Sequence, residues 1–274
     1  MFDITRAYGL DFLFPLHDKV CGPSLRQSGE FARPEMEIIS QLVRTAGACT
    51  YIDVGANIGS IALPVAARNQ ASRVIAIEGN RHLATILAAN TLCNRLGNVE
   101  VHHAVVGDNM GVIGFPTPSR DSEINFGALG VGAKFDGQPD EPVLMRTLDE
   151  MAPANTRVIK IDVEGFEPRV LAGATGLIAR REASWIVEHK GDERAHGVTA
   201  QFLGAGYKLF WLFAPFVTPS ARKNRSRDGT VAGDSNILAI PHGDPPCSMT
   251  PIEQADAVRP DGLVGCPYLK AFGY

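Results

Sequence analysis

Short apolar runs alternate with amphipathic stretches through the middle of the chain, and this alternation restricts the fold more than any other feature. Residues 49–54, 73–78, 99–106, 156–162, 185–189 and 207–213 each read as a strand, and 235–240 as a last one. Residues 111–115 could form a short partner strand. Helical spacing marks 58–68, 81–96, about 167–180 and 196–205, with Gly97 closing the second of these. Pro64 lies inside the first and is expected to bend it. Strand, helix, strand in repetition means parallel strands joined by right-handed crossovers, with helices on both faces. The nearly unbroken apolar content of 74–77 and 158–161 suits strands buried on both sides. Ahead of this block, 1–48 reads as an N-terminal helical extension, where Ile38, Ile39, Leu42 and Val43 share a helical stripe that follows Pro34. The main domain is expected over 49–241, interrupted by long variable loops at 116–142 and 214–234. A Pro- and Gly-rich tail occupies 242–274.

Composition narrows the class. Hydrophobic residues make up 45% and charged residues 20% of 274, so a packed core is expected rather than disorder. The longest apolar runs, such as 60–67, fall far short of the roughly 20 residues that cross a bilayer, so no membrane association is expected. The first residues lack a basic region followed by an apolar stretch, so they do not read as a signal peptide. Five scattered cysteines (Cys21, Cys49, Cys93, Cys247, Cys266) contain no C-x-x-C pair, which argues against a disulfide framework and fits a reducing cytoplasm. A net charge of −4 offers no general attraction for nucleic acid. An oligomer is compatible with all of this.

The first strand of the main block ends in Asp53-Val54-Gly55-Ala56-Asn57-Ile58-Gly59. Ligands of open parallel sheets bind outside the carboxyl ends of the strands. Gly55 allows a sharp turn and close approach of backbone to a ligand. Asn57 stands where a second glycine would serve, and Asn tolerates positive φ. Gly59 lets the next helix pack close, and Asp53 suits either an ammonium group or ordering of the loop. Glu78 ends the second strand 25 residues after Asp53, where a carboxylate can accept from both hydroxyls of a ribose. A dinucleotide enzyme would more often show G-x-G-x-x-G; here an acidic residue stands where pyrophosphate would be repelled. A purely structural glycine turn is the bland alternative.

With these residues in hand, the sequence resembles the FkbM family of S-adenosylmethionine-dependent methyltransferases. The resemblance rests on the run from Tyr51 to Gly59, on Val74 to Glu78, and on Asn90 with Asn94 and Asn98-Val99. Further on, Arg146 to Asp149, Ile159 to Glu167, Leu171 to Ala174 and Ile186 to His189 extend it, so that it spans roughly residues 28 to 240. It implies a class I methyltransferase (Rossmann-like) fold, a seven-stranded mostly parallel sheet whose last strand is antiparallel. It also implies S-adenosyl-L-methionine as cofactor and O-methylation of a small hydroxylated acceptor, a sugar or natural-product alcohol. Cofactor contacts are expected from Glu30, Asp53, Gly55, Ala56, Asn57, Gly59, Glu78, Gly79, Asn80, Ala104, Val105, Asp162 and Glu164. One departure matters: the family usually has Glu-Pro after the second strand, and here Gly79 follows Glu78.

Transfer to an alcohol benefits from a base that takes its proton. Strand alternation puts Lys160, Asp162 and Glu164 on one side, and Asp162 is the first candidate for touching the acceptor. Asp162 or Glu164 could equally cap the helix near Glu167, and Lys160 could simply pair with one of them. His189, at the end of a later strand, is a second candidate base beside Glu188. The carboxylates and His189 could gather a metal, but no tight ligand motif is present and none is expected. For the acceptor, Asn125, Phe126, Glu188, Arg222 and Asn224 are the expected contacts. Residues 222–227 pack four cations into six positions, which suits an anionic acceptor if that loop covers the site, or else is a solvated loop. Two other readings stay open: a nucleotide-binding oxidoreductase, and a cofactor-binding protein without turnover.

Overall fold

The structure, a computed structural model, describes residues 2–119, 122–133, 140–221, 231–259 and 265–274. The chain opens with a hairpin of β1 (Phe2–Ala7) and β2 (Leu10–Pro15). Tyr8 and Gly9, both at positive φ, make the two-residue turn that suits the twist of such strands. The expected N-terminal helical extension is therefore corrected in its first part: alternation in β2 buries Phe12 and Phe14, and helix begins only at α1 (Cys21–Ser28) and α2 (Arg33–Ala46).

The central strands follow: β3 (Thr50–Val54), β4 (Arg73–Glu78) and β5 (Val99–His103), linked by α3 (Ala62–Arg68) and α4 (Arg81–Cys93). A side sheet is built from β6 (Val105–Val106), β7 (Gly111–Phe115) and β8 (Glu141–Arg146). After α5 (Leu148–Met151) come β9 (Thr156–Ile161), α6 (Glu167–Ala172), α7 (Thr175–Arg180), β10 (Ser184–Glu188), α8 (Glu193–Gly204), β11 (Lys208–Pro215), β12 (Gly233–Ile240) and β13 (Pro251–Ile252). The large sheet runs β13-β11-β12-β10-β9-β3-β4-β5. From β5 to β10 all pairings are parallel, and β12 enters antiparallel between β10 and β11. Short β13 adds an eighth strand at the edge.

Period-two alternation divides the core between the two faces. Tyr51 packs toward α2, α3 and α4 with Met36, Ile39, Leu63 and Leu87. Ile52 and Val54 face the other way, toward Val170, Leu177 and Phe202 of α6, α7 and α8. Because α3 starts only at Ala62, Pro64 falls in its first turn, where a proline costs no intrahelical hydrogen bond. The expected helix 167–180 is split at Gly173, where a Cβ would lie 2.0 Å from the carbonyl oxygen of Gly107. The tail is fastened rather than loose: the Tyr268 hydroxyl accepts from the Phe213 amide and donates to the Phe213 carbonyl, both at 2.7 Å.

Asn90 ties the hairpin to the ligand end of the sheet. Fully buried, it accepts from the Leu13 amide at 2.7 Å and donates to the carbonyls of Leu13 and Ile58 at 3.0 and 2.9 Å. Asn90→Ala strands one buried and two partly buried backbone groups and should cost about 1–3 kcal/mol in urea unfolding. An unchanged midpoint would show that the hairpin is held by its apolar contacts alone.

Candidate active site

β3 pairs in parallel with β4 on one side and β9 on the other, so the strand order reverses at its carboxyl end, where ligands of such sheets bind. The chain leaving β3 is folded tightly there. Amides of Gly55 and Ala56 both donate to the Ile77 carbonyl, at 2.9 and 3.0 Å. Gly55 sits at φ +83, and a Cβ on it would lie 1.8 Å from the Asp162 carbonyl oxygen. Asn57 takes φ +52, as its side chain permits. Gly59, at φ +88, lies against Leu63 and Leu87, so its role is helix packing rather than a wall of the site.

Two adjoining cavities open above this turn. The first, about 510 Å³, is mostly apolar, with Ile77, Leu83, Val105, Phe115, Phe126 and Phe166 around the Glu78 carboxylate. The second, about 630 Å³, is walled by Glu35, Asp53, Lys160, Asp162, Glu164 and Asp234 beside Asn125, Phe31 and Phe216. Gly55, Asn57, Gly127 and Asp162 line both.

Glu78 fixes the floor of the apolar cavity. Its two oxygens accept from the amides of Asn57 at 2.8 Å and Asn80 at 2.7 Å. Burial pushes its carboxyl up to about 7, against the pull of those two amides. Asn80 caps α4 through its side chain, accepting from the amides of His82 and Leu83, and serves the site from behind. Gly79, Ala104 and Val105, expected cofactor contacts, line the apolar cavity, and Ala56 lines the acidic one.

Lys160, 4% exposed, is the one cation among the described residues of the acidic cavity. Its ammonium donates to Asp162 at 3.0 Å and stands 3.9 Å from Asp53. Burial alone would lower its pKa, but Asp162, Glu35 and Asp53 more than reverse this and hold it protonated. Lys160 is thus a counter-charge and not a proton acceptor. Asp53 is pushed up by burial, with Lys160 pulling the other way. Glu164 takes φ +55, a strained conformation of the kind that gathers at sites, and pairs with Lys190.

Other expected contacts fall elsewhere. Glu30 lines neither cavity; it accepts from the Thr218 amide at 2.5 Å and pairs with Arg33. Phe126 lines the apolar cavity, while Asn125 borders the acidic one. His189 is turned away: successive strand residues point to opposite faces, and its ring packs edge-on against Trp211, bordering a separate cavity with His196, Ser235 and Arg259. Burial, followed by His196, lowers its pKa. Glu188 lines neither cavity either, yet its carboxylate lies within 4.8 Å of those of Asp162 and Glu164. Lys160 and Lys190 already pair with this trio. Arg222 and Asn224, with the rest of the cation run, lie outside the described residues.

Two wall groups were not anticipated. Glu35 occupies the same helical stripe as Ile38, Ile39 and Leu42, and a charge on an apolar stripe is the signal that marks it. Asp234, just ahead of the apolar run of β12, alternates onto the same face as Asn236, whose amide donates to Glu35 at 3.3 Å.

The sheet order and the glycine turn at its reversal point are those of a class I methyltransferase fold. The chain belongs to the FkbM methyltransferase family: the methyltransferase FkbM domain matches residues 53–209. No curated protein matches the chain in sequence. Among solved structures it is similar to the methyltransferase FkbM from Methylobacillus flagellatus KT, at 19% identity and TM-score 0.46 over 70% of this chain and 43% of that one. The chain thus spans less than half of that relative's length. It is also similar to the human methyltransferase 10 domain containing protein (11% identity, TM-score 0.47, 85% and 88% covered). A third is the O-methyltransferase TomG from Streptomyces achromogenes (15%, 0.43, 76% and 79%). Among the described residues no helix is long and apolar enough to cross a membrane.

Proposed function

We propose that the protein is an S-adenosylmethionine-dependent O-methyltransferase acting on a hydroxyl of a small acceptor, a sugar or natural-product alcohol. The observation that carries this reading is the position of Asp162, on the wall common to an apolar cavity and a polar one. The residues present fit the cofactor. Gly55, at φ +83, lets the chain turn tightly against the Asp162 backbone, Phe115 and Val105 offer apolar walls for a base, and Glu78 faces the same cavity. When bound, the cofactor supplies an electrophilic methyl group.

The chain supplies position and proton management. Glu78 holds the amides of Asn57 and Asn80 and keeps lone pairs for ribose hydroxyls. Asp162, held by Lys160, stands where an acceptor hydroxyl from the polar cavity would meet the methyl group, and takes its proton. Lys160 keeps Asp162 in place and offsets its charge. The carboxylates around the turn disfavour a dinucleotide pyrophosphate, which weighs against the oxidoreductase reading.

Turnover with methyl-labelled S-adenosylmethionine and a panel of polyhydroxylated acceptors tests the roles. Asp162→Asn should lower kcat by about 10²–10⁴-fold while leaving affinity for S-adenosylhomocysteine within a few fold. Glu78→Gln, which can accept only one of the two amides, should weaken cofactor binding by about tenfold or more. An Asp162→Asn enzyme turning over at the wild-type rate would remove Asp162 from the mechanism.

A further inference from the structure

The acidic cavity carries more negative charge than the proposed reaction uses. Five carboxylates line it, from Glu35, Asp53, Asp162, Glu164 and Asp234, and the described residues put one ammonium among them, that of Lys160. Lys190, from outside, pairs with Glu164. The methionine end of the cofactor is a zwitterion and its sulfonium adds a single positive charge. Among the described residues, two of the five carboxylates are then left without a counter-charge. Ions buried without a partner cost several kcal/mol each. A second observation points the same way. Asp53 is 1% exposed and lines this cavity, and its Oδ1, 3.9 Å from the Lys160 ammonium, accepts no hydrogen bond.

We propose that this cavity is a cation-binding subsite and that the acceptor is a hydroxyl compound bearing a protonated amine, an amino sugar or amino polyol, with anionic acceptors rejected. The proposal rests on the methyltransferase reading for its orientation toward Asp162. It reverses the expectation drawn from the cation run at 222–227, which had pointed to an anionic acceptor. Glu35 on α2 faces Asp53 of β3, Lys160 and Asp162 at the end of β9, and Asp234 and Asn236 of β12. Without a cation these groups take up protons instead: burial pushes Glu35 up to about 8 and Asp234 up to about 7, Lys160 pulling both down and the neighbouring carboxylates adding to the rise. An ammonium entering the cavity displaces those protons, so its affinity rises with pH through this range.

A matched set of probes isolates the charge: 6-amino-6-deoxyglucose, glucose and glucose 6-phosphate differ at one position. Each is titrated by calorimetry and ligand-observed NMR into the protein, alone and saturated with S-adenosylhomocysteine, at pH 6 and pH 8. The amino sugar should bind at least tenfold tighter than glucose at pH 8, less so at pH 6, and the phosphate weakest of the three. Glu35→Gln or, independently, Asp234→Asn should shrink the amino preference severalfold. Equal behaviour of the three probes, including no binding by any, or preference for the phosphate, overturns the proposal. Failure of S-adenosylhomocysteine itself to bind is a separate outcome that strikes the cofactor reading, while the titrations without it still report the charge preference of the cavity.

Discussion

Gly55→Ala is expected to abolish cofactor binding and to unfold the protein at markedly lower denaturant. The alanine Cβ would lie 1.8 Å from the carbonyl oxygen and 2.9 Å from the carbonyl carbon of Asp162, both backbone atoms at the end of β9. No side chain can swing aside to relieve this, so β3 and β9 must separate where the Asp162 amide donates to the Val54 carbonyl at 3.0 Å. The residue must also hold φ +83, which costs an alanine about 1–2 kcal/mol. With the strained hydrogen bond, the loss should reach about 3 kcal/mol. Affinity for S-adenosylhomocysteine should drop by at least about a hundredfold, since 1.4 kcal/mol corresponds to a factor of ten. Urea unfolding and calorimetry on the same variant check the two parts separately. Wild-type stability would show that the turn can shift away from β9.

Lys160→Met should be nearly as damaging, for an electrostatic reason. It removes the ammonium that lies 3.0 Å from Asp162 and 3.9 Å from Asp53 and that also faces Glu35. Breaking a buried ion pair from one side typically costs about 3–5 kcal/mol. The loss should depend on pH, with a definite sign. The folded-state pKa of Glu35 is already raised from an ordinary 4.5 to about 8. A carboxyl raised in this way contributes stability that is complete below about 4.5 and lost as pH rises through about 8. Removing Lys160 raises the neighbouring carboxyls further, so the variant should lie far below wild type at pH 8 and approach it near pH 5. A deficit that is constant across that range would mean that Lys160 acts by packing.

The parts of the fold visible in the sequence were those with a strong period or a special residue. Buried parallel strands announce themselves as apolar runs, and Gly55, Asn57, Glu78 and Asp162 were recognisable because each sits at a strand end where the backbone must turn. The hairpin was missed because Tyr8-Gly9 is a weaker turn signal than Asn-Gly, and because the stripe of α2 drew the reading of the whole extension toward helix. Two carboxylates of the acidic cavity were also missed. Glu35 arrives from α2 and Asp234 from β12, some 200 residues apart in the chain, and only the packing of α2 on the sheet brings them to one cavity. His189 was misplaced for a reason that the sequence did contain. Counting by twos from Trp185 through Val187 puts it on the face opposite Asp162.

Calorimetric titration of the wild-type protein with S-adenosylhomocysteine, run beside an oxidised nicotinamide dinucleotide, bears most directly on the class assigned to the cavity above Gly55 and Glu78. One-to-one saturable binding of S-adenosylhomocysteine is predicted, weakened in Glu78→Gln, with no heat from the dinucleotide. Saturable binding of the dinucleotide, with none for S-adenosylhomocysteine, would contradict it.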